Sequence, residues 1–306
     1  MFKGIFEFEL EYRRGRPVTY IYFAIIFIIT FLVIAGPSRT VAGQIKANAP
    51  FIIASWTVTL SLVFTMITSA VMGVAIVRDF DHNTEGLLFS NAIKKRDYLL
   101  GRFCGSFVVL LLMNCGVWLG LMAGFAVGKS VPWDVAWRSR ELLGFQPWHY
   151  LQPFLLITVT NLFITGALFF MSGALGRNAI VIYTQGILLI VVYQIANIGL
   201  PDLETQKLAA LLDPFGIKTF QYVTRYWTPS EQNTLLVPLT GIMLYNRLLW
   251  IAAGVVALVI TYHGFSFNMV RKGFGSRKTE TTGDREESEE TIKTPRADQV
   301  INAWTH

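Results

Sequence analysis

The histidines and cysteines are the residues of this chain best suited to holding a metal or acting as nucleophiles, and neither set is arranged to do so. His82, His149, His263 and His306 form no H-E-x-x-H pair, so a catalytic zinc has no binding set. Cys104 and Cys115 fall in one apolar run, about 16 Å apart along a helix axis. That exceeds the Cα reach of a disulfide, and both read as ordinary buried thiols. The remaining side chains with chemistry to offer are amides and one acid-headed segment. Asn114, Asn161, Gln185, Gln194 and Asn197 lie within apolar runs. An amide in hydrocarbon must find a partner or a water-filled space. Two readings stay open for these five: hydrogen bonds between helices, or a polar strip along a translocation path. The acid-headed segment is Thr84-Glu85-Gly86-Leu87-Leu88-Phe89. Thr84 can cap a helix, and Glu85 favours its positive N-terminal end. The amphipathic helix that follows suits either a groove on a soluble partner or the lipid headgroups, beside Lys94, Lys95 and Arg96.

The elements that must position these residues are six apolar runs, at about 18–35, 51–77, 103–127, 150–175, 180–200 and 248–269. Each is long enough, at about 1.5 Å per helical residue, to cross a hydrocarbon core of about 30 Å. None carries an acid, Arg or Lys in its interior, and His263 is the one ionisable group within a run. Composition agrees: 53% hydrophobic, 14% aromatic and 15% charged, where soluble domains carry about 25% charged residues. The pattern predicts an all-α integral membrane protein of six transmembrane helices. The net charge of +6 does not point to nucleic acid, because the basic residues cluster beside the spans. Lys3, Arg13, Arg14, Arg16, Arg78, Lys94, Lys95, Arg96, Arg102, Arg177, Arg271, Lys272, Arg277 and Lys278 fall on one side, and the other side is poorer. The richer side is expected to be cytoplasmic, with both termini there. The first run is too long for a signal-peptide core and closes at Gly36-Pro37, so it reads as an uncleaved span.

Residues 1–16 place Phe2, Ile5, Phe6 and Leu10 at helical spacing among acids and arginines, which predicts an interfacial amphipathic helix. The hydroxyls of the second span, Ser55 to Ser69, are expected to bond their own or a neighbouring helix. In the third span Gly116, Gly120, Gly124 and Gly128 form a smooth stripe, continued by Gly101 and Gly105. Such a stripe serves close internal packing or a dimer seam. Residues 201–247 form an outer segment, with a short helix ended by Asp213-Pro214 and then aromatics suited to the membrane boundary. From 272 to 306 the chain is polar and rich in glutamate, and reads as a disordered cytoplasmic tail.

Two resemblances rest on these residues. The order Thr84-Glu85-Gly86-Leu87-Leu88-Phe89-Ser90, Ile93, Tyr98-Leu99-Leu100-Gly101-Arg102 resembles the inner loop of ABC-2 type transporter permeases. Many members have proline shortly after the serine, where this chain has Ala92. The likeness covers about residues 1–271 and implies a coupling helix in the loop 78–102, docked on a separate ABC ATPase subunit. It also implies a second permease chain, as a homodimer or heterodimer. A narrower likeness lies in Asp213-Pro214-Phe215-Gly216, Arg225-Tyr226-Trp227-Thr228, Asn233, Gly241 and Asn246-Arg247-Leu248-Leu249-Trp250. These resemble the permease portion of bacterial proteins that fuse ABC-2 modules to an M1-family aminopeptidase. A permease half standing alone in a bacterial cytoplasmic (inner) membrane is then expected, from a split gene or a truncated form. The chain has no G-x-x-x-x-G-K-[ST] run, so no nucleotide or other cofactor is expected on it. Ion-driven transport calls for an acid or base at membrane depth, and an enzyme within the membrane calls for paired carboxylates or a histidine site; the runs offer neither. The expected function is a transport subunit powered from outside, the alternative being a membrane anchor or scaffold that transports nothing.

Overall fold

The computed structural model describes residues 1–36, 44–81, 93–130, 141–198 and 203–266. The expected coupling residues 84–89 and the tail 272–306 lie outside the described residues, as does the side chain of Asn197.

Proline begins four of the helices, at a position where the first N–H has no partner to lose. Helix α1 (Phe2–Arg14) ends at Gly15, and Arg16 is held extended before Pro17. A short elbow therefore separates it from α2 (Pro17–Ala35). Next come α3 (Pro50–Val63) and α4 (Thr65–Asp79), which bend by 49° at Phe64. Then follow α5 (Lys95–Ser130), α6 (Pro147–Gly176) and α7 (Ala179–Ile198). Three short helices, α8 (Leu203–Leu212), α9 (Ile217–Thr224) and α10 (Pro229–Thr234), lead to α11 (Gly241–Gly264).

The described residues are helical with no strand. Four helices, α2, α5, α6 and α11, are long and apolar enough to cross a membrane, and the bent α3–α4 pair makes a fifth. The apolar part of α7, Ala179–Gln194, is shorter. This is the build of a helical membrane protein.

The boundaries differ from the hydropathy runs for local reasons. The run 51–77 is not one straight helix. Its hydroxyls turn back on the backbone, Thr57 donating to Ile53 O, Ser61 to Val58 O, Thr65 to Ser61 O, Thr68 to Phe64 O and Ser69 to Met66 O. Such back-bonding bends helices. A π-helical stretch follows at Ser69–Gly73, a recognised cause of kinks. The third helix begins at Lys95 rather than at 103, which brings Arg102 inside it. The last begins at Gly241, because Asn246 and Arg247 are buried helical residues rather than outer loop.

One core runs through α2 to α6, with Ile26, Ile53, Met72, Leu110 and Phe169 fully enclosed. A smaller cluster of Ala54, Val58, Leu156, Ile157, Phe220, Val237 and Met243 seats α9 and the start of α11 on α3 and α6. The glycine stripe of α5 is occupied by α2. A Cβ on Gly120 would stand 2.8 Å from Thr30 Cβ and 2.9 Å from the Phe27 carbonyl, and one on Gly124 would stand 2.7 Å from Ile34 Cβ. Gly116 meets Phe23, Ile26 and Phe27 in the same way, and Gly128 is buried further along the helix. Gly116, Gly120 and Gly124 thus pack against α2.

Gly120→Ala should destabilise the protein by about 1–3 kcal/mol through overpacking, read as a lower melting temperature in detergent. Gly4→Ala in α1, whose new Cβ would meet nothing within 4 Å, should be neutral or gain about 0.5–1 kcal/mol.

Candidate functional site

On α1 the residues Phe2, Ile5, Phe6, Glu9, Leu10 and Arg13 share one helical stripe. Ile5 lies over Gly101 and Glu9 over Gly105; a Cβ on either glycine would come to 2.8 or 2.7 Å of those side chains. The missing side chains let α1 settle onto α5 until Glu9 is 0% exposed. A bare carboxylate cannot stay there unpaired.

Glu9 Oε1 accepts from Arg13 Nε at 2.6 Å and Ser106 Oγ at 3.1 Å. Its Oε2 accepts from Arg102 Nη1 at 2.5 Å and Arg78 Nη2 at 2.9 Å. Arg102, only 2% exposed, turns its Nη2 to Asp79 Oδ1 at 2.8 Å, and Tyr98 donates its hydroxyl to Asp79 Oδ2 at 2.7 Å. Arg78 also lies over the Tyr12 ring at 3.8 Å. Arg13 Nη2 donates to the Val71 carbonyl at 2.7 Å, inside the π-helical stretch of α4. Two carboxylates thus face three guanidinium groups in a site shared by α1, α4 and α5.

Burial alone would raise the Glu9 pKa. The charges of Arg13, Arg78 and Arg102 outweigh it and hold the carboxyl down at about 2. Glu9 is therefore ionised at any physiological pH, and its chemistry is that of a fixed anchor rather than a proton carrier. Arg78 and Asp79 close α4, and Tyr98 and Arg102 lie in the first two turns of α5. The cluster therefore fixes both ends of the connection that holds residues 84–89.

Sequence reasoning counted Arg78 and Arg102 as charges flanking spans and Glu9 as part of the polar face of α1. The available signal was register. Glu9 falls four residues after Ile5 on the apolar stripe, as Gly105 falls four after Gly101 on α5.

The four described amides take separate places. Asn161 donates from Nδ2 to Ser61 Oγ and the Phe215 carbonyl, both at 2.8 Å, and its Oδ1 accepts from Arg247 Nη1 at 2.8 Å. Arg247 donates further to Asn246 Oδ1 at 2.9 and 2.6 Å. Asn246 Nδ2 donates to the Ala210, Leu211 and Asp213 carbonyls at the end of α8. Gly216 has φ +79°, and its bare Cα leaves room for the Arg247 guanidinium. Burial raises the Asp213 carboxyl above its ordinary value, opposed by N–H bonds from Lys218, Phe215 and Gly216 and by the charge of Arg247. This second polar node ties the segment after α7 to α3, α6 and α11. Asn114 donates to Leu110 O of its own helix at 3.0 Å. Gln185 is half-buried on α7, its Oε1 unbonded, and Gln194 is exposed. The structure brings Asn161 together with Ser61, Asn246 and Arg247, and among the described residues its bonds do not go to Asn114, Gln185 or Gln194.

No protein-family model matches this chain, and no curated protein matches it.

Glu9→Gln leaves three buried guanidinium groups short of a counter-charge and should cost about 3–5 kcal/mol, measured as thermal unfolding in detergent at pH 7. The Glu9 pKa is lowered on folding, from 4.5 to about 2, so its stabilisation is fully present above pH 4.5. It declines as acid is added and is gone once the pH has fallen through about 2; Glu9→Gln should lack this acid limb. Asn161→Ala removes three buried bonds and should cost about 1–3 kcal/mol. It should also speed limited proteolysis within 203–247, whereas Asn114→Ala should leave that rate unchanged.

Proposed function

We propose that the chain is the membrane-spanning permease subunit of an ABC transporter in a bacterial cytoplasmic membrane. It pairs with a second permease chain and is driven by a separate ATPase subunit. In this reading the six spans are α2, the α3–α4 pair, α5, α6, α7 and α11, with both termini cytoplasmic and α1 at the inner interface. Residues Thr84, Glu85, Gly86, Leu87, Leu88 and Phe89 dock on the ATPase.

The observation that supports it best is the buried ion cluster of Glu9, Arg13, Arg78, Asp79 and Arg102. A connection that only joins two helices has no need of a carboxylate sealed from water. One that receives mechanical work needs a mount that does not yield, and charge-assisted bonds to two helix ends and a third helix supply it. A push on 84–89 then reaches α1, α4 and α5 together. Within that cluster the three guanidinium charges keep Glu9 ionised, so Glu9 serves as an anchor.

Glu85→Arg and Leu88→Asp should each reduce co-purification of an ATPase partner from native membranes by about tenfold or more, the loss of one charge-assisted or well-packed contact. Removing 277–306 should leave both the complex and nucleotide-driven transport largely intact. Unchanged association in both point variants would remove the docking site, and loss of function on tail removal would favour a scaffold.

A further inference from the structure

Away from the ion cluster, α8 and α9 enclose a cleft of about 280 Å³ lined by Gln206, Ala209, Lys218, Gln221, Tyr222 and Arg225. Two cations, two amides and a phenol line it, and among the described residues no carboxylate does. Lys218 and Arg225 are seven residues apart across α9, two helical turns, and so share one face.

The cleft is also held in shape. Thr219 donates its hydroxyl to Ala210 O at 2.5 Å, and the Lys218 N–H donates to Asp213 Oδ2 at 2.5 Å. Asn246 holds the last carbonyls of α8. The corner between the two helices is therefore tied to the bundle by bonds that do not involve the cleft's own side chains. Arg225 is oriented as well, with Nη1 to Gln206 Oε1 at 3.3 Å and its guanidinium 4.6 Å from the centre of the Tyr226 ring. A planar guanidinium lying over an aromatic ring, in a cleft that an ammonium also lines, is a recognition set for oxyanions.

We propose that this cleft binds a phosphate group, carried by a soluble phosphate compound or by a phospholipid headgroup. The donor inventory selects phosphate over carboxylate. Guanidinium, ammonium, amide and phenol groups together offer more N–H and O–H bonds than the about four lone-pair sites of one carboxylate can accept, whereas a phosphate presents further oxygens in three dimensions. The inference rests on the α8–α9 corner alone and does not depend on the transporter reading.

The test uses the full chain in two arms. In detergent, inorganic phosphate and glycerol phosphate are titrated calorimetrically into the wild type, Lys218→Gln and Arg225→Gln. In the second arm, protein from phosphatidylglycerol bilayers is examined by native mass spectrometry for retained lipid. Each substitution removes a charge-assisted bond and should weaken binding about tenfold or more, with an unchanged melting temperature. Substitution-sensitive binding of soluble phosphate supports the proposal with a soluble ligand. Substitution-sensitive retention of phosphatidylglycerol, without binding of the soluble compounds, supports it with a headgroup. If neither arm distinguishes the wild type from the two variants, the proposal is overturned.

Discussion

A carboxylate sealed from water is tolerable only when positive charge surrounds it, and Glu9 has three guanidinium groups within hydrogen-bond distance. Much of this structure follows from meeting that condition. Gly101 and Gly105 must lack side chains so that α1 can approach. Arg102 must lie inside α5 rather than before it. Asp79 must be present to balance Arg102, and Tyr98 to satisfy Asp79. Even the irregular turn of α4 is drawn in, because Arg13 donates to the Val71 carbonyl within the π-helical stretch.

The two polar nodes hold different parts of the fold. The Glu9 cluster makes one rigid unit of α1, the end of α4 and the start of α5. The node of Asn161, Asn246 and Arg247 does the same for α8, α9 and the helices beneath them, using neutral amides around a single buried cation. The difference in chemistry has a physical reason. Arg247 is satisfied by amide oxygens and feels the charge of Asp213 only at a distance, so the node holds these helices without opposed full charges in contact.

The helical membrane character was legible in the runs themselves, since a stretch of uninterrupted apolar residues has few other stable forms. So was the local bonding of the second span's hydroxyls, which follows from the short reach of Ser and Thr. The ion cluster was not legible, because it depends on three helices meeting in register, and hydropathy treats Arg78 and Arg102 as terminators whether they point outward or inward. The glycine stripe announced a close neighbour without naming it, and α2 became visible as that neighbour only in three dimensions. Among the amides, Asn161 could not be told from Asn114 by sequence, since burial of Arg247 beside it, not its depth in a run, decides what it bonds.

The burial of Glu9 also bears on how the protein is made. Arg102 lies 93 residues further along the chain. At about 5–20 residues per second, roughly 5–20 s of synthesis separate the acid from the base that completes its coordination. Through that interval the Glu9 carboxylate lacks Arg102 and stays hydrated. Docking of α1 is therefore a late step of biogenesis, coming after insertion of the helices that supply its partners. A chain interrupted before α5 would leave α1 unseated, its three acids and three bases still in water.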